Sequence, residues 1–416
     1  MSTTLRSGLS QARSNWAMLA LFLGAFVVGT AELVVVGVLN IIVKDMGVSI
    51  STAGTLVTAY SLGISIGGPV LAALTIKFGR RFLLWLSFLA YVLGNVAAAF
   101  AVNFGMLVTA RIITGALHGL FMGVAFAVAG ALVPPERMGR AIAVVFGGFA
   151  VSTALGLPLG NLIGQGFGWQ AAFGAVIILG VIALIAAVAF IPQVPNAGTG
   201  GIGAQAKHAL APRVLAVLAV GFLLLGGQYA ALTYITPFLE QVTGISGSLI
   251  GAFLLAYGIA NAIGTFGGGW AADRNPSRTL IIANIVLILA LGGLWLMGDA
   301  PVMVAIALFV WGVVGFGLVP SLQHRVVTLA GPGRDLAATL PQSAVTAGIA
   351  IGALVGGLAV EAYGPPAAVI TGLIAFAIAL PGVWAISFLK VPDFGEAESS
   401  STDDDTTASS SVPASN

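Results

Sequence analysis

The chain contains no cysteine. That absence excludes disulfides, thiolate zinc sites and cysteine nucleophiles together. Charge is nearly as scarce: 7% of the 416 residues are Asp, Glu, Lys or Arg, against 58% hydrophobic. A water-facing domain carries about a quarter of its residues charged, so this chain is expected to be dissolved in lipid. The formal net charge of +2 leaves no electrostatic footprint for nucleic acid. Catalytic clusters are missing too. The three histidines are too separated for a zinc motif, and no Walker A sequence is present. Gly198, Gly200 and Gly203 spell GxGxxG, but in a proline-flanked stretch with no strand before it. Neither an enzyme, a metal nor a cofactor is implied.

What is present is a series of long apolar runs and 57 glycines, which transmembrane helices tolerate and use for close approach. A spanning helix needs about 20 mainly apolar residues. That criterion predicts an all-α membrane protein with twelve transmembrane helices, at 16–39, 51–74, 82–101, 105–130, 141–165, 171–191, 214–238, 248–271, 279–297, 302–328, 340–360 and 367–389. The first run is too long for a signal-peptide core and lacks a small-residue cleavage site before Lys44, so it is expected to be retained.

The basic residues orient these helices. With both termini cytoplasmic, that side holds Arg6, Arg13, Lys77, Arg80, Arg81, Arg137, Arg140, Lys207, Arg213, Arg274, Arg278, Arg325, Arg334 and Lys390. The outer loops hold Lys44 alone, and Arg111 is left inside a helix. Five divisions follow: a cytoplasmic segment 1–15, a six-helix bundle 16–191, a Gly-, Ala- and Pro-rich cytoplasmic linker 192–212, a second bundle 213–389, and a cytoplasmic tail 390–416. The tail, rich in Ser, Thr and Asp, cannot bury apolar area and is expected to be disordered.

The halves repeat. AALTIKFGRR at 72–81 closes the second helix and GWAADRNPSR at 269–278 closes the eighth, 197 residues on. Small residues at Gly148, Ser152, Gly156, Gly160 and Gly164 on the fifth helix, beside Pro158, are matched by Ala344, Gly348, Gly352 and Gly356 on the eleventh, with Gly156 and Gly352 196 apart. Two independent signals at one spacing indicate duplication of a six-helix unit. Such smooth stripes permit close helix contact and suggest a sliding seam between the halves.

GTAELVVVGVL at 29–39, Gly79-Arg80-Arg81, RIITGALHG at 111–119, VPPERMGRA at 133–141, GLPLG at 156–160 followed by Gly168-Trp169, and YITPFLEQVTGIS at 234–246 together resemble the major facilitator superfamily. Within it they are similar to the bacterial drug, sugar and purine efflux branch of twelve-helix proton antiporters. The resemblance covers nearly everything from Trp16 to Leu389. It implies two six-helix bundles related by a pseudo-two-fold axis, a bacterial cytoplasmic (inner) membrane location, a monomer, and export of small organic molecules in exchange for protons. A proton-coupled uptake permease on the same fold is the alternative; a membrane sensor would need an appended domain that is not visible. Two positions depart from the family. Ile76 stands where the helix-two loop usually carries aspartate, although the second copy keeps Asp273, and Asn40 stands where relatives usually place proline. The gating loops are therefore read as Gly79, Arg80 and Arg81 in one half and Asp273, Arg274 and Arg278 in the other, with the second copy carrying more of the gate.

Charges inside a bilayer are costly and usually mark pathways. Glu32 lies seven residues before the end of its apolar run and Arg111 six after the start of its own, so at about 1.5 Å per residue both sit roughly 10 Å below one edge. If their helices adjoin, as in the resembling family, they can form an ion pair that proton binding to Glu32 breaks. A carboxyl suits this role because apolar surroundings favour its neutral form and a nearby guanidinium its charged one. A static pair that fixes helix packing is the alternative. His118 shares a stripe with Arg111 and is open to a proton relay, a solute contact or a neutral packing role. Solute contacts are expected from Gln228, Tyr229 and Tyr234 on the seventh helix and Tyr257 and Asn261, with Thr265, on the eighth.

Overall fold

The computed structural model describes residues 11–75, 78–133, 138–193, 207–333, 337 and 340–390. The expectations for most of the linker, for the tail beyond Lys390, and for Arg6, Ile76, Lys77, Arg137 and Arg334 lie outside these residues. So do those for Gly198, Gly200 and Gly203.

Among the described residues twelve helices are long and apolar enough to cross a membrane. They are α1 (Gln11–Met46), α2 (Ile50–Thr75), α3 (Arg80–Ala99), α4 (Phe104–Ala131), α5 (Met138–Phe167) and α6 (Trp169–Phe190). The second set is α7 (Pro212–Gln241), α8 (Ser248–Arg274), α9 (Pro276–Leu296), α10 (Pro301–Ala330), α11 (Leu340–Tyr363) and α12 (Pro366–Ser387). No strand occurs among the described residues. All twelve predicted segments are present. Helix α1 is longer than its apolar run, continuing through Lys44 until Gly47, whose φ of +63° suits the left-handed residue that ends a helix. Proline fixes several starts, at Pro212, Pro276, Pro301 and Pro366, where its missing N–H costs nothing.

Breaks inside the helices have local causes. Pro237 cannot bond to the Thr233 carbonyl, and α7 breaks at Thr233 and Tyr234. Pro320 does the same to α10, which breaks at Leu318. Pro158 stays within α5 and frees the Ala154 carbonyl. Helix α2 widens to a π-helical turn over Gly63–Gly67, where glycines let it meet α4 closely: a methyl on Gly67 would lie 2.5 Å from the Ala116 methyl, and one on Gly68 2.8 Å from the Gly119 backbone.

The duplication is visible as geometry. In the first half Gly160 packs on Val34 of α1, where a methyl would lie 3.0 Å from the Val34 carbonyl oxygen. Adding 196 to both gives Gly356 and Ala230, and a methyl on Gly356 would lie 2.5 Å from the Ala230 carbonyl oxygen. The glycine stripes therefore do not join the halves. Gly148, Gly156 and Gly160 face Phe22, Thr30, Leu33 and Val34 of α1, and Ser152 faces Gly29. Gly348, Gly352 and Gly356 face Phe222, Gly226 and Ala230 of α7. The seams these stripes make lie inside the halves, not between them as expected. Small residues reveal that a close contact exists, not which helix makes it.

The halves meet through α2 on α11 and α5 on α8. Thr58 donates to the Ala350 carbonyl at 3.2 Å, Ser65 donates to the Ser343 carbonyl at 3.0 Å, and Gly258 lies against the Ala154 backbone that Pro158 leaves free. Twelve crossings place Gln11 and Ser387 on one face, the terminal face. At the opposite face Glu240 of α7 accepts from Asn40 and, at 2.7 Å, from Lys44 of α1. Residues 27–39 and 224–239 are buried without exception, whereas the stretches of α1 and α7 nearer the terminal face alternate between buried and exposed. The molecule is sealed towards the opposite face.

Candidate functional site

Most of the buried polar side chains described in the first half lie on α1, α2, α3 and α4, with Ser152, Thr153 and Asn161 on α5. Arg111, on α4, is 1% exposed, and it is held by backbone. Its Nη1 donates to the Ala31 carbonyl at 2.8 Å, with longer contacts of 3.4 Å from Nη2 to the Glu32 carbonyl and from Nε to the Leu56 carbonyl. The guanidinium also lies 3.8 Å from the centre of the Tyr60 ring, a cation–π contact. The expected shared depth of Glu32 and Arg111 is present, because the guanidinium reaches Glu32's own peptide.

The expected ion pair is not formed in this state. The Glu32 carboxyl turns away from Arg111, with Oε1 3.5 Å from the Tyr229 hydroxyl of α7 and Oε2 3.8 Å from His118 Nδ1. Oε2 has no hydrogen-bond partner among the described residues. Spacing gave the level of the two residues, but a helical carbonyl keeps a second lone pair, and Arg111 has taken those acceptors instead. His118 is fully buried. Its Nδ1 lies 3.0 Å from the Tyr60 hydroxyl, which is 2.9 Å from the Tyr91 hydroxyl and 3.2 Å from the Val28 carbonyl oxygen. Glu32 thus touches both halves, Tyr229 on one side and the His118, Tyr60 and Tyr91 chain on the other.

These elements also answer a comparison with known sequences. The profile of the Major Facilitator Superfamily matches residues 21–340. The chain belongs to the major facilitator superfamily. It is 36% identical over 354 residues to an uncharacterized MFS-type transporter, YtbD, of Bacillus subtilis (strain 168), covering 84% of this chain and 89% of that protein. It is 32% identical over 331 residues to a chloramphenicol resistance protein of Streptomyces lividans, covering 79% and 84%. Among solved structures, a bacterial homologue of the human lysosomal transporter Spinster, inward-facing and occupied, matches with a TM-score of 0.78 at 16% identity over 91% of this chain and 98% of that one.

As a major facilitator protein the chain places its other anticipated residues unevenly. Gln228, Tyr229, Tyr257 and Asn261 are buried at the middle of α7 and α8. Tyr234 is not with them: its hydroxyl donates to the Ala353 carbonyl at 2.8 Å, and Gly54 of the first half and Gly357 of α11 pack onto it, so it plugs the opposite face. Among the described residues the gating loops do not assemble into an ion-paired set. Gly79 caps α3, Arg80 donates to the Ala127 carbonyl at 3.2 Å, and Arg81 donates to the Val188 carbonyl at 3.3 Å while lying over Trp85. Arg274 lies 3.2 Å from the centre of the Trp270 ring, the Arg278 amide is capped by Asn275, and exposed Asp273 has no ion pair among the described residues. Arginine at a helix end finds carbonyls and aromatic faces as readily as carboxylates. Tyr60, Tyr91 and Trp311 were not anticipated. Tyrosine and tryptophan in an apolar run look the same whether they pack or bind.

Proposed function

We propose that this major facilitator protein is a secondary active transporter that exports small organic molecules in exchange for protons, by alternating access in a bacterial inner membrane. The observation that carries the proposal is the position of Glu32. Its carboxyl is 3% exposed, in contact with Tyr229 of the other half, and has one oxygen unpaired among the described residues. A bare carboxylate there costs far more than a carboxylic acid. Protonation therefore favours the sealed state, and deprotonation favours a state in which Glu32 meets water or Arg111. Arg111 fixes the backbone beneath the carboxyl, and His118 lies beside it, with Nδ1 on the Tyr60 hydroxyl at 3.0 Å. Both termini are assigned to the cytoplasm by the distribution of basic residues, which makes the sealed face the outer one. Export is supported by the likeness to the chloramphenicol resistance protein.

The test is purified protein in liposomes with an imposed pH gradient, assayed for movement of chloramphenicol, simple sugars and purine nucleosides. Uphill movement of at least one of them, collapsing when a protonophore removes the gradient, is the expected result. Transport indifferent to the gradient would refute proton coupling.

A further inference from the structure

Applying the 196-residue repeat to Glu32 gives Gln228. The same step carries Val34 and Gly160 onto Ala230 and Gly356, whose contacts repeat those of the first pair. The repeat therefore places a carboxyl and its uncharged amide analogue at equivalent positions of the two central helices, α1 and α7. The two positions differ in charge and hardly in shape.

The surroundings of Gln228 say what its share is. The side chain is fully buried, and neither amide atom has a hydrogen-bond partner among the described residues. Tyr257 and Trp311 are each 1% exposed, and their hydroxyl and indole N–H are likewise unpartnered. The two rings meet edge to face with centres 5.4 Å apart. Gly315 ties the group together: a methyl there would lie 2.5 Å from Gln228 Oε1 and 3.2 Å from Trp311 Cδ1. Three neighbouring side chains from three helices thus leave every polar atom unused in one place, although buried polar groups are nearly always paired. Glu32 meets the hydroxyl of Tyr229, the residue after Gln228, at 3.5 Å, and carries no charge when protonated as proposed above. The described acids and bases of the second half, Arg325 among them, lie within about two turns of a helix end. Arg111 is already committed to carbonyls.

We propose that Gln228, Tyr257 and Trp311 form a solute subsite for an uncharged group that accepts and donates at once, a hydroxyl or a secondary amide on a ring or short chain. Gln228 supplies an acceptor and two N–H donors, Trp311 one donor, and Tyr257 either role. The aromatic pair supplies an apolar wall. A site built to hydrogen-bond a solute rejects analogues lacking the matching group far more strongly than an apolar pocket rejects a misfit. Selection therefore falls on the second half while the proton is held on the first. This inference deepens the transporter proposal and rests on it.

The experiment is equilibrium binding to purified protein in detergent without any gradient, so that failure of proton coupling leaves the outcome readable. The probes are chloramphenicol, inosine and arabinose, all uncharged with hydroxyl or amide groups, and tetraphenylphosphonium, a cation with none. At least one uncharged probe is expected to bind. Its Kd should rise tenfold or more in Gln228→Leu and in Trp311→Phe, the latter keeping the ring and losing the N–H. Gly315→Ala, which displaces Gln228 Oε1, should act in the same direction. Circular dichroism and gel-filtration profiles of each variant separate misfolding from loss of the site. Binding of tetraphenylphosphonium alone would overturn the proposal. So would binding of no uncharged probe, or an uncharged-probe Kd changed less than twofold in folded Gln228→Leu and Trp311→Phe.

Discussion

At the residue scale, Arg111 is among the most heavily used side chains described in the membrane interior, and its hydrogen bonds all go to backbone. Arg111→Ala removes a guanidinium that serves the carbonyls of Ala31, Glu32 and Leu56 and covers Tyr60. We expect a loss on the order of 3 kcal/mol in thermal unfolding, together with loss of transport. Tyr60→Phe keeps the ring under Arg111 and deletes only the hydroxyl between His118 and Tyr91. It should cost about 1 kcal/mol in the same unfolding assay. A larger loss from Tyr60→Phe than from Arg111→Ala would show that the tyrosine chain, not the arginine, organises this half. Glu32, Arg111 and His118 stand out in the sequence because polar groups in long apolar runs need a reason to be there. Their partners do not stand out, since whether an arginine takes a carboxylate or a carbonyl depends on rotamers and helix tilt. Trp311 was illegible for a related reason. Its chemistry appears only when its N–H is seen to lack an acceptor.

At the scale of the helices, the sequence was most readable where the bilayer imposes the rule. Twelve runs of the required length became twelve helices, and Pro237 and Pro320 mark where two of them break. The π-helical turn in α2 carries no such signal, because its glycines explain the close approach to α4 but not the extra residue. The glycine stripes make a testable contrast. Gly356→Leu would drive a side chain into the Ala230 backbone of its own half, so it should lower the folded yield and unfolding temperature. Gly258→Leu strikes the Ala154 backbone of the other half. It should leave each half folded and disfavour the sealed state. In a protein without native cysteine, a cysteine introduced at buried Ala353 reports this through its reaction with a membrane-impermeant thiol reagent. Reaction is expected to rise with Gly258→Leu and not with Gly356→Leu in whatever fraction folds. The reverse would restore the stripes as the moving seam.

At the scale of the whole molecule, the two halves touch Glu32 at the centre and close over it at one face with Tyr234, Asn40, Lys44 and Glu240. The Lys44 and Glu240 pair is exposed and contributes about 1 kcal/mol at most, so it can latch the sealed state without trapping it. Cysteines at Lys44 and Glu240, whose native side chains meet end to end, should be joined by a short bis-methanethiosulfonate cross-linker that stops transport, and a reductant should restore it. Undiminished transport by the cross-linked protein would show that this face never opens. The central claim, that a proton on Glu32 drives the exchange of states, is tested most directly by Glu32→Gln in liposomes, assayed for transport under a pH gradient and for solute exchange without one. Glutamine keeps the shape and cannot release a proton. Exchange should persist within a few-fold of the unaltered protein while gradient-driven transport falls to the background of empty liposomes. Normal gradient-driven transport by Glu32→Gln would contradict the account.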